Sequence, residues 1–460
     1  TNNSVFNAPP KCIFTGLFHS KGEAKKMLVV ERLLPLIRNE FPRADKDASG
    51  RARIFLDAGA GSLVLGRAAE AEKQSMLDYA PNLGAPSWES QKAEQAIVEG
   101  REAIRDLINA EDANCIVSGE SATSLFFRLT YALSKELKKD ENVVTTEYDH
   151  YANVSAVLEL ERRGYVKEAR LARFDTQTGK LDLDHLASLI DSKTKVVSVA
   201  GVSNGLGSKT SLAEVAKLAK SVGAYFIVDA VHMVPHMPVD VQRIGCDFLV
   251  FSGYKVFSRK GSFMYGKKEV LEKLAPYKVD PAANKAPTKW EWGSLDQSLF
   301  ASFSAVVSYL EWLGERVGDE YNTLLGNLVG RQRAIRAAMH WIENYEKSLS
   351  RTVLGGYEGQ QGISDIQNLD VYGIKDPAKV DGRTPTFSMN VRGADYKKLA
   401  QFLWDKYSIA TLPDDFYSRA LRSYGVEKAV RASFAHYNTI EEARTLVSAL
   451  SDAARTLSAS

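Results

Sequence analysis

Cysteine is scarce: only Cys12, Cys115 and Cys246 occur in 460 residues. Three scattered thiols are too few for a disulfide framework or a zinc cage, and they fit a reducing cytoplasm. Long apolar runs are missing too. No uncharged stretch approaches the roughly 20 residues that a membrane helix needs, and the longest, such as Phe248 to Phe251 and Tyr225 to Val228, have the length of buried strands. Nor does either charge dominate. Lys plus Arg is 59 and Asp plus Glu is 57, a net +2, which supplies no field for steering onto nucleic acid or an anionic membrane. Thr1 to Pro10 contains no basic segment followed by an apolar one, so no secretory leader is expected there.

What is present reads as an α/β protein. From about residue 50 to 270, short β-branched runs alternate with helical patterns, the signature of a mostly parallel sheet covered on both faces. Strands are expected at Arg53–Leu56, Asn114–Val117, Val143–Glu147, Lys195–Val199, Tyr225–Val228, Phe248–Phe251 and Ser262–Tyr265. A helix is expected over Ser211–Val222, with a capping box between Ser211 and Glu214. Ala275–Ser294, rich in Pro, Asn and Lys, reads as a long ordered loop. Beyond it come a helical region over Leu299–Glu346, a strand at Thr386–Val391 and a closing helix capped by Thr439 and Glu442. The division expected is a large α/β domain over 51–295 and a smaller α+β domain over 296–460, joined by an N-terminal segment, 1–50.

Ligands of such sheets bind beyond the carboxyl ends of the strands. After Val117 the chain runs Ser118-Gly-Glu-Ser-Ala-Thr123 into a helix, a phosphate site in outline, although Ser and Thr there are also ordinary N-caps. Asp229 ends one strand; it is an N-cap, a metal ligand or the partner of a protonated heteroaromatic nitrogen. Lys255 ends the next strand among Phe251, Tyr254, Val256 and Phe257, where partial desolvation lowers an amine pKa and frees the nucleophile. Phosphate loop, carboxylate and lysine in that order describe a pyridoxal phosphate site.

Longer segments carry a resemblance. Val228-Asp-Ala-Val-His-Met-Val-Pro-His-Met-Pro-Val-Asp240, Cys246-Asp-Phe-Leu-Val-Phe-Ser-Gly-Tyr-Lys255, Glu147-Tyr-Asp-His-Tyr-Ala-Asn153, Val202-Ser-Asn-Gly-Leu-Gly207 and Arg431-Ala-Ser-Phe-Ala-His-Tyr-Asn-Thr439 occur in the family's order. Together they resemble the class V aminotransferase and cysteine desulfurase family of fold-type I pyridoxal phosphate enzymes, with details similar to members from fungal secondary metabolism. The resemblance implies a homodimer with shared active sites acting on an amino acid as its small-molecule substrate. It implies that Lys255 forms the Schiff base and moves protons, that Asp229 pairs with the pyridine nitrogen, and that His150 stacks on the ring. Asn204 and His232 would reach the phenolic oxygen, and Ser121, Ala122, Thr123 and Ser252 would hold the phosphate. Ser294 would reach the phosphate of a neighbouring subunit. Arg431 would grip the substrate carboxylate, with Tyr254 and Trp292 on the substrate side. No metal is implied.

Departures from the pattern bear on the reaction. The family's commoner Gln stands as His232, and its commoner His before the lysine stands as Tyr254. A desulfurase needs a thiol on a loop shortly before the arginine. Here that region, Ala410 to Leu421, holds none, and no cysteine follows Cys246. The expectation is therefore an enzyme that makes or breaks a C–C or C–N bond of an amino acid without a persulfide. Desulfurase-like β-elimination, racemisation and transamination are the alternatives on the same fold, and a non-catalytic scaffold is the alternative of another class.

Overall fold

A computed structural model describes residues 21–458. Thr1 to Pro10 and Cys12 lie outside the described residues, as does the start of the expected N-terminal segment.

Seven strands form the principal sheet, in the spatial order Ile116–Gly119, Ser262–Gly266, Phe248–Ser252, Tyr225–Asp229, Thr194–Ala200, Asn142–Thr146 and Glu168–Ala172. Ser262–Gly266 runs antiparallel to both of its neighbours, and the remaining pairs are parallel. The central strands are apolar on both faces because helices cover both: Val196, Val197, Ile227, Val228, Leu249 and Val250 are all buried. Six of the expected strands fall within a residue or two of these positions.

The seventh expected strand does not join this sheet. Only Ile54–Phe55 is extended, and it pairs in parallel with Ile409–Ala410 far along the chain. Its β-branched pattern signals extension but says nothing of the partner. Conversely, Glu168–Ala172 closes the sheet although its sequence, EARLA, has no β-branched residue. It is an edge strand with little burial, so little apolar patterning is required of it.

After the principal sheet, the chain crosses 275–294 as a loop broken only by a short turn at Thr288–Trp290. Trp290 anchors that loop; it is fully buried, and its indole N–H donates to the Leu271 carbonyl at 3.0 Å. Two long helices follow, Gln297–Val317 and Gly330–Gly355. They cross so closely at Gly314 that a Cβ there would lie 1.7 Å from the Ala334 carbonyl oxygen. A four-stranded antiparallel sheet comes next, in the order Leu369–Tyr372, Thr386–Val391, Ala429–Ser433 and Leu412–Asp414, and the helix Ile440–Leu457 closes the chain.

The two expected capping boxes had different outcomes. Thr439 and Glu442 cap each other's backbone at 3.0 Å in both directions. Ser211 makes no side-chain cap bond; the Glu214 amide bonds instead to the Ser211 carbonyl, which leaves the helix Leu212–Ser221 uncapped by that hydroxyl.

The amino-terminal helix Lys21–Glu40 ties early and late chain together. At its end Arg38 donates to the Tyr437 carbonyl at 2.7 Å and pairs with Glu442 at 3.1 Å. Phe41 then packs edge-on against Phe257, Tyr309 and His436. Among the described residues no helix is long and apolar enough to cross a membrane.

Candidate active site

The parallel strands all end on one side of the sheet, and that geometry assembles a cavity of about 520 Å³. Its wall contains Ser121, Ala122, Thr123, His150, Asn204, Asp229, His232, Ser252, Tyr254 and Lys255. These residues come from five separate stretches of sequence.

Asp229 is the last residue of its strand and is buried. Its Oδ1 accepts the Val231 amide at 3.0 Å. Burial pushes its carboxyl up to about 6, against the backbone hydrogen bond and the attraction of Lys255. Lys255 sits in the short turn Gly253–Lys255 directly after the neighbouring strand. The turn is tight: a Cβ at Gly253 would come within 3.0 Å of the Arg259 carbonyl oxygen. The lysine amine bonds to the Gly59 carbonyl and stands 3.4 Å from His232 Nε2. Burial, then the nearby Arg431 charge, lowers that amine to about 7, so an appreciable share is neutral at physiological pH. Burial, followed by Lys255 and Arg431, also drives His232 well below its ordinary value, which leaves a neutral imidazole beside the amine.

His150 caps the helix that follows it. Its Nδ1 accepts the Ala152 amide at 2.9 Å at the start of the helix Tyr151–Arg162. Burial lowers the ring to about 4, with Lys255 adding to the effect. The neutral ring therefore carries its proton on Nε2. Capping and facing the cavity are compatible, since the cap fixes the ring plane.

Ser121 is the N-cap of the helix Ala122–Ser134 and shares a reciprocal capping box with Ser124. Ser252 Oγ lies 3.0 Å from Ser262 Oγ. Asn204 donates to the Phe416 carbonyl at 2.7 Å, while its own carbonyl accepts from Arg431 at 3.0 Å. Arg431, fully buried, belongs to a second and wider cavity of about 1080 Å³ that opens from the first and shares Lys255, Tyr254, His150 and Asn204 with it.

Within one chain, Trp292 and Ser294 are not brought to this place. Both are exposed and line another pocket with Glu291 and Arg259. Trp292 donates to the Tyr277 carbonyl at 2.7 Å, and the Arg128 guanidinium lies 4.0 Å over its ring.

Two acids that sequence reasoning passed over complete the site. Asp149 is fully buried and accepts from Thr146 at 2.6 Å, Asn153 at 2.8 Å and the Ala200 amide at 2.8 Å, so it locks the His150 turn to the neighbouring strand end. Burial raises its carboxyl to about 7. Asp57 lies 3.8 Å from Arg431, and its Oδ1 is buried without a hydrogen bond. Asp149 stood inside a recognised segment. Asp57 follows a strand that pairs with a distant part of the chain, and no local signal marks it.

The donor set fits pyridoxal phosphate. A buried carboxylate whose only hydrogen-bond partner among the described residues is its own turn suits a pyridinium nitrogen. A desolvated lysine suits an aldehyde, and the amide groups at the start of Ala122–Ser134 suit a phosphate. Asn204 Oδ1 and Arg431 Nε are also buried without partners among the described residues, as expected of groups reserved for a ligand.

Comparison with known proteins agrees with the geometry. The family model described as aminotransferase class-V matches residues 54–332. A probable cysteine desulfurase from Synechocystis is 30% identical over 426 residues, covering 90% of this chain and 94% of its own. A cysteine desulfurase from Yersinia pestis is 28% identical over 431 residues, covering 90% and 96%. Among solved structures, an apo cysteine desulfurase from Thermococcus onnurineus superposes with a TM-score of 0.76 at 23% identity, over 88% of this chain and 95% of that one. A cysteine desulfurase from Escherichia coli gives 0.75 at 22%, over 92% and 98%. Fold and site thus define a fold-type I pyridoxal phosphate-dependent enzyme. The chain belongs to the class-V aminotransferase family.

Proposed function

We propose that this enzyme makes or breaks a C–C or C–N bond at an α-amino acid, with Lys255 as covalent anchor and proton carrier and without a persulfide cysteine. The observation that carries this reading is the absence of a thiol beside Lys255 among the described residues. Cys115 and Cys246 are buried, line neither cavity, and have thiols raised by burial, whereas a persulfide needs an exposed thiolate.

Bound pyridoxal phosphate supplies an electron sink for the substrate's Cα. This chain supplies the rest. Asp229 would hold the cofactor's ring nitrogen protonated, and His150 would stack on the ring. Ser121, Ala122, Thr123 and Ser252 hold the phosphate, and Asn204 and His232 reach the ring's oxygen. His232, neutral and 3.4 Å from Nζ, accepts a proton from Lys255 or returns one. Arg431 binds the α-carboxylate in a two-pronged pair, and Tyr254 covers the substrate side.

The division into a cofactor domain over 51–295 and a small domain made from 1–50 and 296–460 belongs to the same reading. So does a homodimer, in which the exposed Ser294 and Trp292 serve the site of the second copy.

A second reading, cysteine desulfurase chemistry, is favoured by the names of the relatives that cover nine-tenths of this chain. The purified holoenzyme separates the two. Sulfide or protein persulfide formed from cysteine supports the second. Carbon dioxide, or a new C–C or C–N product from another amino acid with no sulfide from cysteine, supports the first. A protein that stays colourless with pyridoxal phosphate would instead be a scaffold.

A further inference from the structure

Phe416 and Tyr417 both adopt left-handed backbone, with φ of 60° and 51°. Two consecutive aromatic residues in that region are strained, yet the segment is firmly held. Asp415 caps the Tyr417 amide at 2.8 Å, the Phe416 carbonyl accepts from Asn204 at 2.7 Å, and the Tyr417 carbonyl accepts from the Tyr151 amide at 2.7 Å. The strain aims the two rings differently. Phe416 is buried beneath the Arg431 guanidinium at 4.7 Å. Tyr417 remains 65% exposed and lies nearly parallel to the His150 ring, with centroids 6.0 Å apart. Phe127, itself 39% exposed, faces the same wide cavity, as does Leu412.

An enzyme that handles only a small side chain has no need of such a wall. The cavity reaches from Lys255 and Arg431, where Cα and the carboxylate of an amino acid would belong on that reading, outward to solvent past these apolar groups. Exposed aromatic surface continuous with a reaction centre is surface awaiting a ligand. We infer that Phe127, Leu412, Phe416 and Tyr417 form the side-chain pocket and that the substrate is an amino acid with a bulky, largely apolar side chain, aromatic or branched, rather than cysteine or alanine. This inference rests on the amino-acid reading above and adds the class of substrate to it.

The test titrates the holoenzyme with both enantiomers of alanine, cysteine and phenylalanine, reading binding by the change in cofactor absorbance and by calorimetry. Phenylalanine is expected to bind about tenfold or more tightly than alanine, as filling an apolar pocket requires. Phe127→Ala, on an exposed helix face that tolerates truncation, and Tyr417→Asn, which keeps a residue tolerant of the left-handed backbone, should each shrink that ratio severalfold. Equal binding of alanine, cysteine and phenylalanine, or a ratio untouched by both variants, would overturn the pocket while leaving the amino-acid reading intact; the latter result would mean that the aromatic wall serves contacts with a second copy. Silence from every amino acid would overturn the amino-acid reading and this inference with it.

Discussion

Arg431 Nη2 stands 3.8 Å from Asp57 Oδ1, and burial moves both groups towards their neutral forms in spite of their attraction. The Arg431 guanidinium falls to about 10 chiefly through desolvation, with Asp57 opposing the fall. Such a pair is incompletely satisfied, since Arg431 Nε and Asp57 Oδ1 both lack hydrogen-bond partners among the described residues. On the proposed reading, a substrate carboxylate would supply the partner that the arginine lacks.

Removing the guanidinium should therefore strike the substrate and spare the cofactor. Arg431→Ala is expected to raise KM by about a hundredfold, the order for losing a buried charged hydrogen-bonded pair. The cofactor's absorbance should remain. Arg431→Lys should recover little, because an ammonium cannot make the two-pronged pair. Steady-state kinetics beside cofactor titration checks both; loss of the cofactor in Arg431→Ala would contradict the carboxylate role.

Lys255 gives the cofactor-free protein a pH dependence. Its folded value of about 7 lies below the ordinary value of about 10.4. Between the two, the unfolded chain holds more protons than the native one, so stability rises with pH across that window. The rise is on the order of 1 kcal/mol per pH unit. Below pH 7 both states carry the proton, and the cost of burying it is fully present. Urea unfolding at pH 7 and pH 9 should show the gap between wild type and Lys255→Met narrowing at the higher pH, with the variant the more stable at pH 7. A gap independent of pH would contradict the desolvated amine.

Gly314 has no room for a side chain, as its virtual Cβ lies 1.7 Å from the Ala334 carbonyl oxygen. Gly314→Ala must push the helices Gln297–Val317 and Gly330–Gly355 apart. A loss of about 3 kcal/mol is expected, at the upper end for overpacked cores, read as a fall in the urea midpoint. The higher helix propensity of alanine is too small to compensate.

The sequence showed most of the scaffold for a physical reason. Strands buried on both faces are largely apolar along their length, and Phe248–Phe251 and Tyr225–Val228 announce themselves that way. Asp229 and Lys255 were legible because strand ends are where such sheets bind ligands. Pairing across the chain was not legible. Ile54–Phe55 reads like any strand, and only the folded chain shows it beside Ile409–Ala410, a placement that delivers Asp57 to Arg431. The strained turn at Phe416–Tyr417 was equally hidden, since neither residue is one that usually marks left-handed backbone. Ser211 shows the opposite failure, a correct local pattern that the backbone did not use.

The two capping sites therefore differ energetically. Thr439→Ala should cost about 1 kcal/mol, the usual value for an occupied N-cap. Ser211→Ala should cost only a few tenths, because its hydroxyl makes no cap bond. Thermal or urea unfolding of the two variants in parallel checks the contrast, and equal losses would contradict it.

The identity of the lysine that carries the cofactor is the most direct test of the site. Borohydride reduction of the holoenzyme fixes the link covalently, and peptide mass spectrometry then locates it. A single phosphopyridoxyl group on the peptide containing Lys255, absent in Lys255→Ala, is the predicted result; the group on a different lysine, or on none, would contradict it.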